Sequence, residues 1–250
     1  EEILVNVTPQ ETRVALIQQG SAQELHVERA SAVGLVGNVY VGVVSRVLPG
    51  MQSAFVQIGL DRAAFLHVAD LWSHRNGDDQ RPIEKVLHDG DRLLVQVIKD
   101  PIGTKGARLS TQISIAGRFL VYLPQESHIG ISQRIEAEAE RTQLREKLQQ
   151  LLAPDHKGGY IIRTMAETAS DDELRADLGY LQKQWTDILA KQRTTAAPAL
   201  LYRDLNLSMR VLRDLATEQT QVIVVDSRET YERMQAFALE YALPVANQVE

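Results

Sequence analysis

Phe55 and Phe65 lie on neighbouring short runs of strand-like residues, and the charge balance turns positive between Lys99 and Arg108. Unpaired bases stack on aromatic faces, at about 1–3 kcal/mol per base, and their phosphates seek cations. By pattern alone, a phenylalanine on an alternating strand is more often core than surface. A lone Lys105 on a turn is likewise a solvated residue. Asp226 ends an apolar run and attracts notice as an acid. Two-metal phosphodiester chemistry, however, needs clustered carboxylates beginning with one on the first strand, and that strand offers Asn6. The histidines at 26, 67, 74, 88, 128 and 156 have no metal-ligand spacing such as His-x-x-x-His. No catalytic residue and no metal or cofactor site is therefore expected in this chain.

The elements that must position these residues are legible in outline. Residues 3–7, 12–17 and 24–28 alternate and read as a three-strand meander. Residues 37–111 hold five short strand-like runs punctuated by Gly50, Gly59, Gly90 and Gly103. Five short strands in about 75 residues suit a small Greek-key barrel, because closure removes exposed edges. Beyond it helix and strand alternate. Leu144, Leu148 and Leu151 stripe a helix over 136–152. Ser170 and Glu173 form a capping box ahead of the stripe Leu174, Leu178, Leu181, Trp185, Ile188 and Leu189. Strands are expected at 117–123, 160–164 and 221–225, and helices at 207–215 and 229–241.

The chain has 250 residues, 44% of them apolar, enough for real cores. It has no cysteine, which excludes disulfides and thiolate zinc sites and fits a reducing, cytoplasmic compartment. No apolar run approaches the roughly 18 residues of a membrane span. The first residues carry no basic signal-peptide region, and both ends read as cut from a longer protein. The net charge of −6 argues mildly against nucleic-acid binding, but acids cluster at 136–146 and 171–177, so a basic face can persist elsewhere.

Residues 37–111 resemble the S1 RNA-binding domain. The matching pieces are Gly37-x-Val39-x-x-Gly42-x-Val44, then Ala54-Phe55-Val56, Ala64-Phe65-Leu66-His67, and Gly90-Asp91 before residues 93–97. The flanks extend the likeness. They read Leu4-Val5-Asn6-Val7-Thr8, Gly103-Thr104-Lys105-Gly106-Ala107, Gln112-Ile113-Ser114-Ile115-Ala116-Gly117, Gly130-Ile131-Ser132-Gln133-Arg134-Ile135-Glu136, Ile162-Arg163-Thr164 and Val224-Val225-Asp226-Ser227. In this order, over essentially the whole chain, they resemble the N-terminal half of the ribonuclease E/G family, nearer its ribonuclease G branch.

The resemblance implies an α+β multidomain fold: an RNase H-like subdomain with an inserted S1 (OB-fold) β-barrel and an α/β 5′ sensor. The implied boundaries are 1–35 and 208–250 for the RNase H-like part, 36–111 for S1 and 112–207 for the sensor. It places Phe55, Phe65 and Lys105 on an RNA-binding face. It assigns Gly117 and Val121 to the terminal nucleotide, and Arg163 with Thr164 to a 5′-monophosphate, for which an arginine fork beside a hydroxyl is well suited. Where ribonuclease E reads Ser-Arg-Arg this chain reads Ser132-Gln133-Arg134, which leaves Arg134 to supply the basic contact. The implied partner is single-stranded RNA, preferably 5′-monophosphorylated, and the full-length protein is expected to be a homo-oligomer. Its Mg²⁺ and Zn²⁺ would be held by segments absent here. The alternative is a non-catalytic S1 RNA-binding module.

Overall fold

The structure, a computed structural model, describes residues 1–217, 219–241 and 243–250. Three antiparallel strands, β1 (Glu2–Val7), β2 (Glu11–Gln18) and β3 (Ser21–Arg29), open the chain as the alternation predicts. Far along the sequence, β14 (Val222–Val225) pairs with β1 in parallel, giving the order β14-β1-β2-β3. Ile3, Val5, Val14, Leu16 and Ile223 bury one face of this sheet. It is covered by the short helix α4 (Leu207–Arg210), the π-helical turn Val211–Leu215, α5 (Arg228–Tyr241) and α6 (Leu243–Ala246). A single helix was expected over 207–215; the second half winds more loosely, and Leu212 and Arg213 turn inward there.

Between these halves stands a closed barrel of β4 (Val39–Leu48), β5 (Ser53–Gln57), β6 (Ala64–His67), β7 (Arg92–Lys99) and β8 (Arg108–Ser110). The order is β4-β5-β6-β8-β7, and β7 pairs back onto β4. This is consistent with an OB/S1-like fold. One helical turn, α1 (Trp72–Arg75), interrupts the polar stretch before β7.

The remaining unit is a mixed sheet in the order β11-β12-β10-β9, built from β9 (Ile115–Ala116), β10 (Leu120–Leu123), β11 (Ile129–Ile131) and β12 (Gly159–Ile162). It packs against α2 (Glu138–Leu151) and α3 (Asp171–Thr194). The Ser170–Glu173 capping box forms as expected. The strand expected over 117–123 is shorter, because residues 117–119 turn back instead. A strand not foreseen, β13 (Ala199–Tyr202), leaves this unit and pairs with β4 of the barrel. Val39 and Val41 of the barrel accordingly belong to the core of the second sheet.

Candidate nucleic-acid interface

Register brings the barrel face together. On β5, Ala54 and Val56 point inward, so Phe55 between them faces out, 38% exposed. It lies opposite Phe65 on β6, with the two rings edge to face at 6.4 Å. The same row continues to both sides. Arg46 of β4 faces Phe55, Arg108 of β8 faces Phe65, and Lys99 of β7 faces Arg108. Two aromatics therefore stand between cations in one line across five strands. Arg108 is held by Asp70, its Nε donating to Oδ2 at 2.8 Å, and the bond and the carboxylate's charge raise its pKa further. Arg46, Lys99 and Lys105 take part in no ion pair among the described residues.

Lys105 sits at the mouth of the same groove. The backbones of Ile102 and Lys105 exchange two hydrogen bonds, at 3.1 and 3.0 Å, around Gly103-Thr104. Arg62, from the β5–β6 side, donates to the Gly103 carbonyl and ties this turn down. Gly106 is required next to it: a Cβ there would stand 2.0 Å from the Ala63 carbonyl oxygen, where β8 crosses β6. The resulting open groove, of about 740 Å³, has Phe55, Phe65, Lys99, Lys105 and Arg108 on its walls.

The second cluster lies on the β9–β12 sheet. Val121 is flanked by Ala116 and Ile161, and Gly130 pairs with Ile161, which makes one apolar row across four strands. The parallel strands β11 and β12 end side by side, and the Ser132 N–H bonds the Ile162 carbonyl at 2.8 Å. The turn bearing Arg134 and the residues Arg163 and Thr164 thus leave adjacent strands together. Arg141 of α2 pins that turn through the carbonyls of Ser132 and Ile135, at 2.9 and 3.0 Å. Arg134 itself is exposed, and Thr164 is half-buried at the start of the Thr164–Glu167 turn.

Arg163 is already ordered from two sides. Its Nη1 donates to the Gly117 carbonyl at 2.5 Å and its Nη2 to Asp214 Oδ1 at 2.7 Å. Asp214 in turn accepts from Arg213 at 2.9 Å, and Arg213 from its other side bonds Asp204 at 2.7 Å. Gly117 has a structural reason of its own. The Asp177 carboxylate accepts the N–H groups of Arg118, Phe119 and Leu120 at 2.8–2.9 Å, and a Cβ on Gly117 would meet it at 2.5 Å.

The structure thus gathers Phe55 with Phe65, and Gly117 with Arg163 and the neighbouring Val121 and Thr164. Sequence reasoning met Lys99 and Arg108 only as the bounds of a basic stretch, and did not single out Arg46, Asp214 or Asp177. Only Asp177 left a signal, as an acid on the apolar stripe of its helix between Leu174 and Leu181. Asp214 stands 51 residues from Arg163, and nothing local announces their pairing.

Asp226 accepts from the Asn6 side-chain amide at 2.5 Å and from the Val7 N–H at 2.8 Å. It is a carboxylate–amide pair, and among the described residues no three metal-ligating side chains gather. Among them, too, no helix is long and apolar enough to cross a membrane.

Comparison with known proteins agrees with the geometry. The sequence pattern of the Ribonuclease E/G family matches residues 114–250. The chain is 48% identical to Ribonuclease G of Escherichia coli (strain K12), over 100% of this chain and 52% of that protein. It is 43% identical to Ribonuclease G of Haemophilus influenzae, over 96% of this chain and 50% of that protein. Against Ribonuclease E of Nostoc sp. it is 39% identical, over 92% of this chain and 33% of that protein. The chain spans about half the length of the ribonuclease G relatives it matches. With a family pattern over more than half its residues, the chain belongs to the ribonuclease E/G family.

Proposed function

We propose that this chain is the RNA-gripping and 5′-end-sensing part of a ribonuclease G-like, single-strand-specific endoribonuclease acting in rRNA and tRNA processing and mRNA decay. The observation that carries this reading is the row Arg46, Phe55, Phe65, Arg108, Lys99, in which phosphate-binding charge flanks a stacking surface on both sides. Bases must be unstacked to use it, so single strands are preferred over duplexes. The first sheet and its covering helices, with three antiparallel strands and a parallel strand beside the first, take the RNase H-like role. The β9–β12 unit takes the 5′-sensor role. Arg163 keeps N–H groups beyond those given to Gly117 and Asp214, and these would meet the terminal phosphate with Thr164 beside them and Arg134 on the adjacent turn. A triphosphate is bulkier and more highly charged and fits this site poorly. Hydrolysis, its Mg²⁺, and a Zn²⁺ joining subunits into a homo-oligomer would belong to the part of the relatives' length that this chain does not span.

The test compares 5′-monophosphate with 5′-hydroxyl oligomers of one single-stranded sequence. The monophosphate binds tighter, and Arg163→Ala removes the difference. Equal affinity in the parent protein overturns the sensor reading.

A second reading, a non-catalytic S1 module, rests on the closed barrel and its aromatic–cation row alone. A nuclease assay with Mg²⁺ on the full reading frame separates the two: cleavage supports the endoribonuclease, and its absence the module.

A further inference from the structure

Behind the turn at 117–119, and beside Met165 and Thr168 of the turn that follows Arg163, the second sheet's core meets the helices of the first. A cavity of about 150 Å³ lies there, with Arg118, Phe119, Glu173, Thr217 and Gln248 among its walls. Arg118 is only 7% exposed. Its Nη1 donates to the Leu212 carbonyl at 2.5 Å, and its guanidinium lies 5.3 Å from the centre of the Phe119 ring. Its Nε is buried and has no hydrogen-bond partner. The nearby acids are engaged elsewhere. Asp177 takes three backbone N–H groups, and Glu173 Oε2 accepts from the Ser170 N–H and hydroxyl at 2.8 Å each. Among the described residues no carboxylate forms an ion pair with Arg118; the charges of Glu173, Asp177 and Asp214 act on it from a distance, but burial outweighs them and pushes its pKa down. A buried cation that distant acids offset only in part remains costly unless something nearer supplies charge. On the same cavity, Gln248 Oε1 is also buried and unpartnered.

We propose that this cavity is a second anion site, separate from the 5′-end site at Arg163, that takes a protonated phosphate-type oxyanion. The chemistry narrows the choice. Arg118 Nε requires an acceptor carrying negative charge, and Gln248 Oε1 requires a proton donor. Hydrogen phosphate offers both, through its P–O⁻ oxygens and its P–OH. Sulfate has no proton at neutral pH and leaves Gln248 unsatisfied. Water bridges two such atoms but brings no charge, and the cavity is several times larger than one water needs.

Thermal unfolding and calorimetry with inorganic phosphate and with sulfate, at equal ionic strength and pH 7, test the assignment. Phosphate binds saturably in calorimetry and raises Tm by roughly 5 °C at a hundredfold excess over Kd, and sulfate does neither. The response persists in Arg163→Ala, which keeps it distinct from binding at the 5′-end site. It disappears in Gln248→Glu, which sets a fixed carboxylate on the cavity wall toward Arg118 and raises Tm without phosphate. Arg118→Met abolishes it as well. Should that variant not fold, Gln248→Met, which removes the acceptor and keeps the volume, weakens phosphate at least tenfold. Calorimetry that shows no saturable phosphate binding, or a Tm that phosphate does not raise, overturns the proposal. So does an equal response to sulfate, a response lost in Arg163→Ala, or one retained in Gln248→Glu.

Discussion

Arg108 and Arg163 are each held by a carboxylate brought from a distant part of the chain, Asp70 and Asp214, which on the proposed reading makes the guanidinium ready for a ligand. Fixing the plane in advance reduces the ordering cost at binding. Arg46 and Lys99 differ, since among the described residues they carry no ion pair, and they stand at the two ends of the row. Phe55→Ala or Phe65→Ala should therefore weaken single-strand binding by about 1–3 kcal/mol, with little change in salt dependence. Arg46→Ala and Lys99→Ala should each lower the slope of log K against log salt by about 0.7, which titrations across ionic strengths will measure. Asp214 titrates in a separate range. Burial raises its pKa, but the Arg213 hydrogen bond and the charges of Arg213 and Arg163 outweigh it, and the net shift is downward. Its contribution to stability is thus complete above the unfolded value of about 3.9 and is lost as pH falls through the lower folded value. Carboxyl chemical shifts followed by NMR should give Asp214 a midpoint below that of an exposed aspartate.

At the scale of elements, the turn at 117–119 is decisive, because it carries Gly117 on one side and Arg118 on the other. Helix α3 builds it with one carboxylate. Asp177→Ala leaves three buried N–H groups without an acceptor, each costing about 1–3 kcal/mol. Denaturant unfolding should register a loss of several kcal/mol, and discrimination at the 5′ end should fall with it. Asp177→Asn, which keeps one acceptor oxygen, should lose less.

Across the whole molecule, three cores are joined by polar links as well as by chain connections. Asp204 accepts from Arg213, and its own N–H bonds Asn38 at the root of the barrel, at 2.9 Å. From there the ion pairs run through Arg213 and Asp214 to Arg163. Arg213 is 6% exposed, so Arg213→Ala strips Asp204 of its ion pair and leaves Asp214 with Arg163 alone, and should cost about 3–5 kcal/mol. Urea titration of that variant against the parent measures it. The net charge of −6 does not oppose RNA binding, because the cations of the barrel row are local while acids cluster in α2 and at the start of α3.

What the sequence by itself determined were features set by local pattern. The meander, the five barrel strands, the capping box at Ser170 and the apolar stripe of α3 all follow from periodicity, turn residues and side chains within a few positions of one another. The pairing of Phe55 with Phe65 was near this limit, because their strands are neighbours in the chain. The tertiary structure alone decided which residues share a surface with them. Arg46 and Lys99 reach the row by register between strands, and a one-residue slip would turn them to the other face. β13 joins the barrel from 160 residues away in its register with β4, Leu200 opposite Tyr40 among its pairs. Asp214 meets Arg163, and Gln248 meets the cavity of Arg118, only after the cores have packed. Periodicity marks which side of an element is buried, but not which distant group it will face there.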